Sequence, residues 1–206
     1  MFGFMIKARP DVNYAASKKP ALFLDRDGVI VHDKGYVFRP EDLKVLPGVA
    51  AFLKKAQGLD YYLIVITNQS GVARGYFNLQ DVDAFHRCLD AELWQQAGVK
   101  IDRYYTCPHH PKGNRPEYTQ VCSCRKPATG MIEQALQDLP IDLGKSVLIG
   151  DKESDIECGI RLGISTIQVN HGQYPLHPNP GLVVHQLTDN AMEWIVTQKA
   201  IDNTPK

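Results

Sequence analysis

The chain lacks a surplus of charge of either sign, any long apolar run, and enough cysteine for a disulfide scaffold. Its 206 residues carry 23 Lys plus Arg against 23 Asp plus Glu, so the formal net charge is zero. A surface that tracks a nucleic-acid backbone needs a basic excess, so no nucleic-acid partner is expected. No apolar stretch approaches the ~20 residues that cross a bilayer, so no membrane partner is expected either. Met1 to Ile6 is apolar but short, and its basic residues follow it, which is not the order of a secretory signal. A cytoplasmic location is the expectation. The five cysteines are Cys88, Cys107, Cys122, Cys124 and Cys158; an odd count with three clustered fits metal binding in a reducing compartment better than disulfides. Internal repeats and low-complexity tracts are absent. We expect a monomer with an N-terminal extension over 1–19, polar from residue 7, and a single domain over 20–200.

What is present is a set of apolar runs that end in polar loops. Ala21-Leu22-Phe23-Leu24 runs into Asp25-Arg26-Asp27-Gly28, the pattern of a fully buried strand with two acids at its carboxyl end. Tyr61 to Ile66 is a second run, ending in Thr67-Asn68-Gln69-Ser70-Gly71 in a loop closed by Gly75. Tyr104–Thr106 reads as a third strand and Val147–Ile149 as a fourth, the latter ending in Gly150-Asp151-Lys152-Glu153-Ser154-Asp155. Ile164–Val169 is a fifth, and Leu182–Val184 follows a Pro/His-rich stretch. Between them lie helical patterns: Val49, Phe52, Leu53 and Ala56; Val82, Phe85, Leu89 and Leu93; Met131, Ile132, Ala135 and Leu136; and Ala191, Trp194 and Ile195. Alternating strands and helices predict an α/β fold, a doubly wound, Rossmann-like parallel sheet.

In such a sheet the strand ends converge on one edge. That edge would hold carboxylates for a hard metal ion, a hydroxyl donor at Thr67 and a fixed cation from the pair Arg125-Lys126. Phosphoryl transfer requires such a set: a nucleophile, charge compensation for the phosphoryl oxygens, and an acid for the leaving group.

A second cluster lies in Cys107-Pro108-His109…Cys122-Ser123-Cys124, four zinc-type ligands spaced CxH-x12-CxC. A structural zinc ion would staple a loop, 107–124, whose prolines and glycine leave it little order of its own. Cys124 directly precedes Arg125-Lys126, so that ion would also aim both cations. His110 falls off the ligand pattern, and Cys88 and Cys158 sit on helical faces as buried thiols.

Asp25-Arg26-Asp27-Gly28-Val29, Thr67, Lys126 and Gly150-Asp151…Asp155 resemble, in order, the four motifs of the haloacid dehalogenase phosphohydrolase superfamily. Within it, the strings DRDGVI, GYV, TNQSGVARGYF, CPHHP…CSCRKP and GDKESD are similar to the heptose-bisphosphate phosphatases. The resemblance covers about residues 20–170. It implies Asp25 as nucleophile, Asp27 as general acid and base, Thr67 as a donor to the phosphoryl group and Lys126 as its cation. It further implies Mg²⁺ held by Asp25, Asp151 and the backbone carbonyl of Asp27. The substrate would be a small-molecule sugar bisphosphate, met by Asp33, Lys34, Gly35 and Tyr36, by Asn68, Gln69 and Ser70, by Arg125 as reader of the second phosphate, and by Lys152. Asp155 is left open between a carboxylate behind the metal site and a support for its loop. No insertion of domain size follows Asp27 or Thr67, so no large cap is expected. Histidinol-phosphate phosphatase, a polynucleotide phosphatase and a non-catalytic zinc protein are the alternative readings. The stretch Ser70–Gly75, the neutral charge and the presence of Asp25, Asp27 and Lys126 argue respectively against them.

Overall fold

The computed structural model describes residues 17–201. Of the expected N-terminal extension, residues 1–16 lie outside the described residues, whereas Lys19 forms an isolated parallel bridge with Ile141. Six parallel strands form one sheet in the order β3-β2-β1-β4-β5-β6. They are β1 (Ala21–Leu24), β2 (Tyr62–Asn68), β3 (Arg103–Cys107), β4 (Val147–Gly150), β5 (Ser165–Val169) and β6 (Leu182–Val184). The chain winds outward from β1 through β2 to β3, then returns to the other side of β1 for β4, β5 and β6. The reversal lies between β1 and β4, where open α/β sheets place their ligands.

The central strands are the most apolar because both faces are covered. In β1, Leu22 and Leu24 join one core layer while Ala21 and Phe23 join the other. Leu63 and Val65 of β2 alternate with Ile64 and Ile66 in the same way. Helices α1 (Val49–Gly58), α3 (Leu79–Ala97) and α6 (Asp189–Ile201) lie over the first layer; α4 (Gly130–Asp138) and α5 (Glu153–Arg161) lie over the second. α3 starts where its sequence says it should. The Asn78 side chain accepts from the Asp81 amide at 3.0 Å while Asp81 accepts from the Asn78 amide at 2.9 Å, a reciprocal cap.

Two local differences from the sequence expectation concern the edge that carries the site. β2 runs past its apolar stretch into Thr67 and Asn68, because β3 continues to supply partners up to Cys107. Ser70–Arg74, expected as loop, forms a short helix, α2, closed by Gly75. Its five residues are too few to show helical periodicity. Among the described residues no domain-sized insertion interrupts the sheet, and no helix is long and apolar enough to cross a membrane.

Ser146, 1% exposed, ties the reversal together. Its hydroxyl accepts from the Ala21 amide at 2.9 Å and donates to the Asp142 carbonyl at 2.7 Å. Ser146→Ala leaves that amide buried without a partner, so unfolding stability should fall by about 1–3 kcal/mol. Chemical denaturation with an unchanged m value is the check; a midpoint equal to wild type would contradict it.

Candidate active site

The ends of β1 and β4 bring Asp25 and Asp151 into one buried pocket, 5% and 4% exposed. The Asp25 amide donates to the Ile149 carbonyl at 2.9 Å, so the first residue past β1 is still held in strand register with β4. α5 begins beside them, and Asp155 points back from its first turn. Gly150 is required there, since a Cβ at that position would lie 2.1 Å from the Asp155 Cβ. Oxygen atoms of Asp25, Asp151 and Asp155 lie within 4.8 Å of one another.

Three like charges so close are tolerable only with compensation. Lys126 supplies it from the loop before α4. Its ammonium lies 2.7 Å from Asp25 Oδ1 and 2.7 Å from Asp155 Oδ1, and it donates to the Ile66 carbonyl at 2.8 Å. Burial works against its charge, but the carboxylates of Asp155 and Asp25 outweigh burial and raise its pKa. Asp155 is engaged at both oxygens, its Oδ1 in the ion pair with Lys126 and its Oδ2 accepting from the Lys152 amide at 3.0 Å. It supports the helix start and holds Lys126.

Asp151 is the carboxylate left over. Its Oδ1 is buried with no hydrogen-bond partner among the described residues, and the Lys152 ammonium stands 3.6 Å away. Burial, then the charge of Asp25, pushes its pKa up to about 8. Gly28, at φ +84°, lies so close that a Cβ would fall 2.1 Å from Asp151 Oδ2. An orphaned carboxylate oxygen beside a second carboxylate and a closely approaching backbone fits a hard divalent cation with oxygen ligands.

Asp27 is anchored differently. The Arg26 guanidinium, fully buried, grips it through Nε–Oδ1 at 2.9 Å and Nη2–Oδ2 at 3.0 Å. Arg26 also donates to the Val37 carbonyl at 2.5 Å and lies 4.6 Å from the centre of the Phe85 ring. Sequence reasoning gave Arg26 no role, because a basic residue between two acids reads as solvated. Its buried station is signalled only by the apolar run on one side and Gly-Val on the other. His86, stacked on Tyr104 at 4.2 Å, has its pKa lowered to about 3 by burial and then by the Arg26 charge, so it stays neutral. Gln69 Nε2 bridges Asp27 Oδ2 at 2.9 Å and Thr67 Oγ1 at 2.8 Å. Thr67 accepts in that bond, which leaves its own proton for a ligand oxygen.

Above this floor opens a cleft of about 390 Å³, lined by Asp27, Asp33, Gly35, Tyr36, Asn68, Gln69, Ser70, Arg125, Lys126 and Lys152, with Ser154 and Tyr174. Lys34 is exposed and does not line it. Asn68 is committed to the scaffold: it donates to the Lys126 carbonyl and accepts from the Lys126 amide, both at 3.1 Å. Ser154 lies inside the Gly150–Asp155 motif but was given no role of its own, and Tyr174 sits next to no recognisable motif.

Cys107, His109, Cys122 and Cys124 converge as the spacing suggested. The Sγ atoms of Cys107 and Cys124 are 2.9 Å apart and those of Cys122 and Cys124 3.3 Å, with His109 Nδ1 3.3 Å from the Cys124 Sγ. One nitrogen and three unpaired thiols around a single point form a soft, four-ligand set. The loop rests on α2 through the Asn114 and Arg115 amides, which donate to the Ala73 carbonyl at 2.7 and 2.9 Å. Arg125 Nη1 donates to the His109 carbonyl at 3.2 Å, so the cleft arginine is tied to a cluster residue.

Comparison with known proteins gives this site its context. The HAD-hydrolase-like family model matches residues 123–189. The chain is 44% identical over 148 residues to the D-glycero-beta-D-manno-heptose-1,7-bisphosphate 7-phosphatase of Haemophilus ducreyi, covering 72% of this chain and 81% of that one. To the Escherichia coli K12 enzyme of the same name it is 35% identical over 185 residues, 90% of this chain and 92% of the other. The crystal structure of D,D-heptose 1,7-bisphosphate phosphatase from B. bronchiseptica, complexed with magnesium and phosphate, superposes with a TM-score of 0.73 at 28% identity, covering 87% of this chain and 99% of that one.

The raised pKa of Asp151 has a sign that can be measured. Without metal, the native carboxyl keeps a proton that the unfolded chain releases above the ordinary value of 3.8, so stability falls as pH rises from there towards about 8. Asp151→Asn removes this penalty. Its metal-free melting temperature should exceed that of wild type by a margin that grows from pH 5 to pH 8. A margin that stays constant over the same window would show that Asp151 is ionised in the metal-free protein.

Proposed function

Since the chain belongs to the D-glycero-beta-D-manno-heptose-1,7-bisphosphate 7-phosphatase family of haloacid-dehalogenase-like hydrolases, we propose that it removes the 7-phosphate of D-glycero-D-manno-heptose 1,7-bisphosphate. The observation that carries this reading is the meeting of Asp25, Lys126 and Asp151 beneath a cleft lined by two further cations, Arg125 and Lys152. The product would feed the synthesis of a nucleotide-activated heptose for lipopolysaccharide core or surface glycans. A monomeric, cytoplasmic enzyme without nucleic-acid or membrane partners suits a small, soluble substrate.

In this reading the Asp25 carboxylate attacks phosphorus and forms an aspartyl-phosphate while the bond to the sugar oxygen breaks. Asp27 gives its proton to that departing oxygen and takes one back from the water that hydrolyses the intermediate. Arg26 and Gln69 fix Asp27 in place for both transfers. Thr67 donates to a phosphoryl oxygen. Lys126 orients Asp25 and offsets negative charge on the transferring group. Asp25 and Asp151, with the Asp27 carbonyl, are the groups that would hold Mg²⁺, which when bound neutralises phosphoryl oxygens and brings the nucleophile and phosphate together. Arg125 is placed to fork onto the phosphate that stays on the sugar.

Phosphate release from the heptose bisphosphate with Mg²⁺ is the direct test. Asp25→Asn should lower kcat by roughly three orders of magnitude or more, since the attacking charge is gone. Arg125→Ala should instead raise KM for the bisphosphate and narrow its advantage over a monophosphate. Wild-type turnover in Asp25→Asn would falsify the covalent mechanism, and equal slowing of all substrates by Arg125→Ala would reassign that residue.

The thiolate set supports a closed, structural zinc site, chemically separate from the oxygen set. Elemental analysis of the purified protein should find about one zinc per chain, the number a single four-ligand site holds. Cys122→Ser should lower the melting temperature and the rate together, and added Mg²⁺ should not restore the rate. Zinc-free protein of full activity would rule the staple out.

A further inference from the structure

Five residues past β5, Tyr174 reaches the cleft from a loop to which no motif assigns a role. With Tyr36 it is one of two aromatic side chains on the lining. Its hydroxyl donates to Asp33 Oδ2 at 3.0 Å, and the same oxygen receives the Lys152 ammonium at 3.2 Å. The Lys152 nitrogen also lies 4.6 Å from the centre of the Tyr174 ring. Asp33 is completed by the Gly35 amide, which donates to its Oδ1 at 2.8 Å. The loops that follow β1, β4 and β5 thus meet on a single carboxylate.

The two ends of Tyr174 act on the same ion pair. Lysine carries a compact charge on four flexible bonds, so it presents that charge at one place only when several partners hold it. The ring face attracts the ammonium, and the hydroxyl fixes the carboxylate opposite it. The pair stands between the floor, where Lys152 is 3.6 Å from Asp151 Oδ1, and the rim formed by Gly35 and Tyr36. A sugar attached to a phosphate seated at Asp25 and Asp151 has this wall beside it.

We propose that Tyr174 is a specificity-determining residue for the sugar portion of the substrate. It fixes Asp33 as an acceptor for hydroxyl groups and Lys152 as a cation for the polyhydroxylated phosphate ester, and its ring supplies an apolar face for the sugar's C–H edge. The inference rests on the sugar-phosphatase reading above and extends it to a residue outside the family motifs.

The experiment compares kcat/KM for the heptose bisphosphate with that for p-nitrophenyl phosphate, an ester that has no hydroxyls to read, at saturating Mg²⁺. The ratio of the two should fall about threefold in Tyr174→Phe, which loses only the hydroxyl, and about tenfold in Tyr174→Ala, which loses ring and hydroxyl. The change should lie chiefly in KM for the sugar ester. Tyr174→Phe keeps the packing, so it decides the matter even if Tyr174→Ala folds poorly. Because the hydroxyl acts through Asp33, adding Tyr174→Phe to Asp33→Asn should lower the ratio little further. An unchanged ratio in Tyr174→Phe overturns the proposal. If wild type cleaves a different sugar phosphate, the heptose reading fails, and the ratio taken with that ester still decides Tyr174. A wild-type enzyme that cleaves the aryl ester and no sugar phosphate overturns both.

Discussion

Three carboxylates meet one buried ammonium at the carboxyl edge of the sheet, and the balance of charge there organises what surrounds them. Lys126 satisfies Asp25 and Asp155 and cannot also satisfy Asp151. Asp151 sits at the reversal of strand order, flanked by the backbone of Gly28, and keeps its proton in the absence of metal. An ionised Asp151 would be costly to bury, and the fold holds that carboxyl where a cation could take the place of its proton. The stable part of the pocket and its reactive part are thus distinguished by whether a carboxylate has its partner within the chain.

The support for Lys126 explains the investment in a long, poorly apolar loop. Lys126 follows the cysteine cluster by two residues, and its peptide group is held on both sides by the Asn68 side chain. Asn68 in turn ends β2, paired with Cys107 of β3, the first residue of the cluster. Sheet, cluster and the Lys126 ammonium therefore form one closed circuit of contacts, in which a displacement of the loop moves the ammonium. Arg125, bonded to the His109 carbonyl, lies on the same circuit. Rigid placement of a lysine at a phosphate site needs such a frame, because its own rotamers do not provide one.

Much of this was legible in the sequence. The strand runs ended where chemistry began, so the edge position of Asp25, Thr67 and Asp151 followed from parallel topology. The cysteine spacing gave the four-residue cluster. What escaped was of two kinds. Arg26 has a surface residue's identity and a core residue's position, and beyond the apolar run and Gly-Val on its two sides it takes the packing of Phe85 and the Val37 carbonyl to reveal the difference. Tyr174 lies in an irregular segment rich in proline and histidine, where no periodicity marks which side chain turns inward. Asn68 shows the converse: grouped with the substrate residues by its motif, it spends both ends of its amide on the backbone of Lys126.

The order of the strands also bears on how the chain is made. β1 emerges from the ribosome first yet occupies the middle of the sheet, so it waits for β2 on one side and, far later, for β4 on the other. Asp25 is translated first, Lys126 next, and Asp151 and Asp155 last. The growing chain therefore gains its buried cation before the second and third acids arrive. A nascent domain that docks its segments as they appear never has to gather three negative charges without a positive one, and synthesis from N- to C-terminus runs in the direction that electrostatics favours.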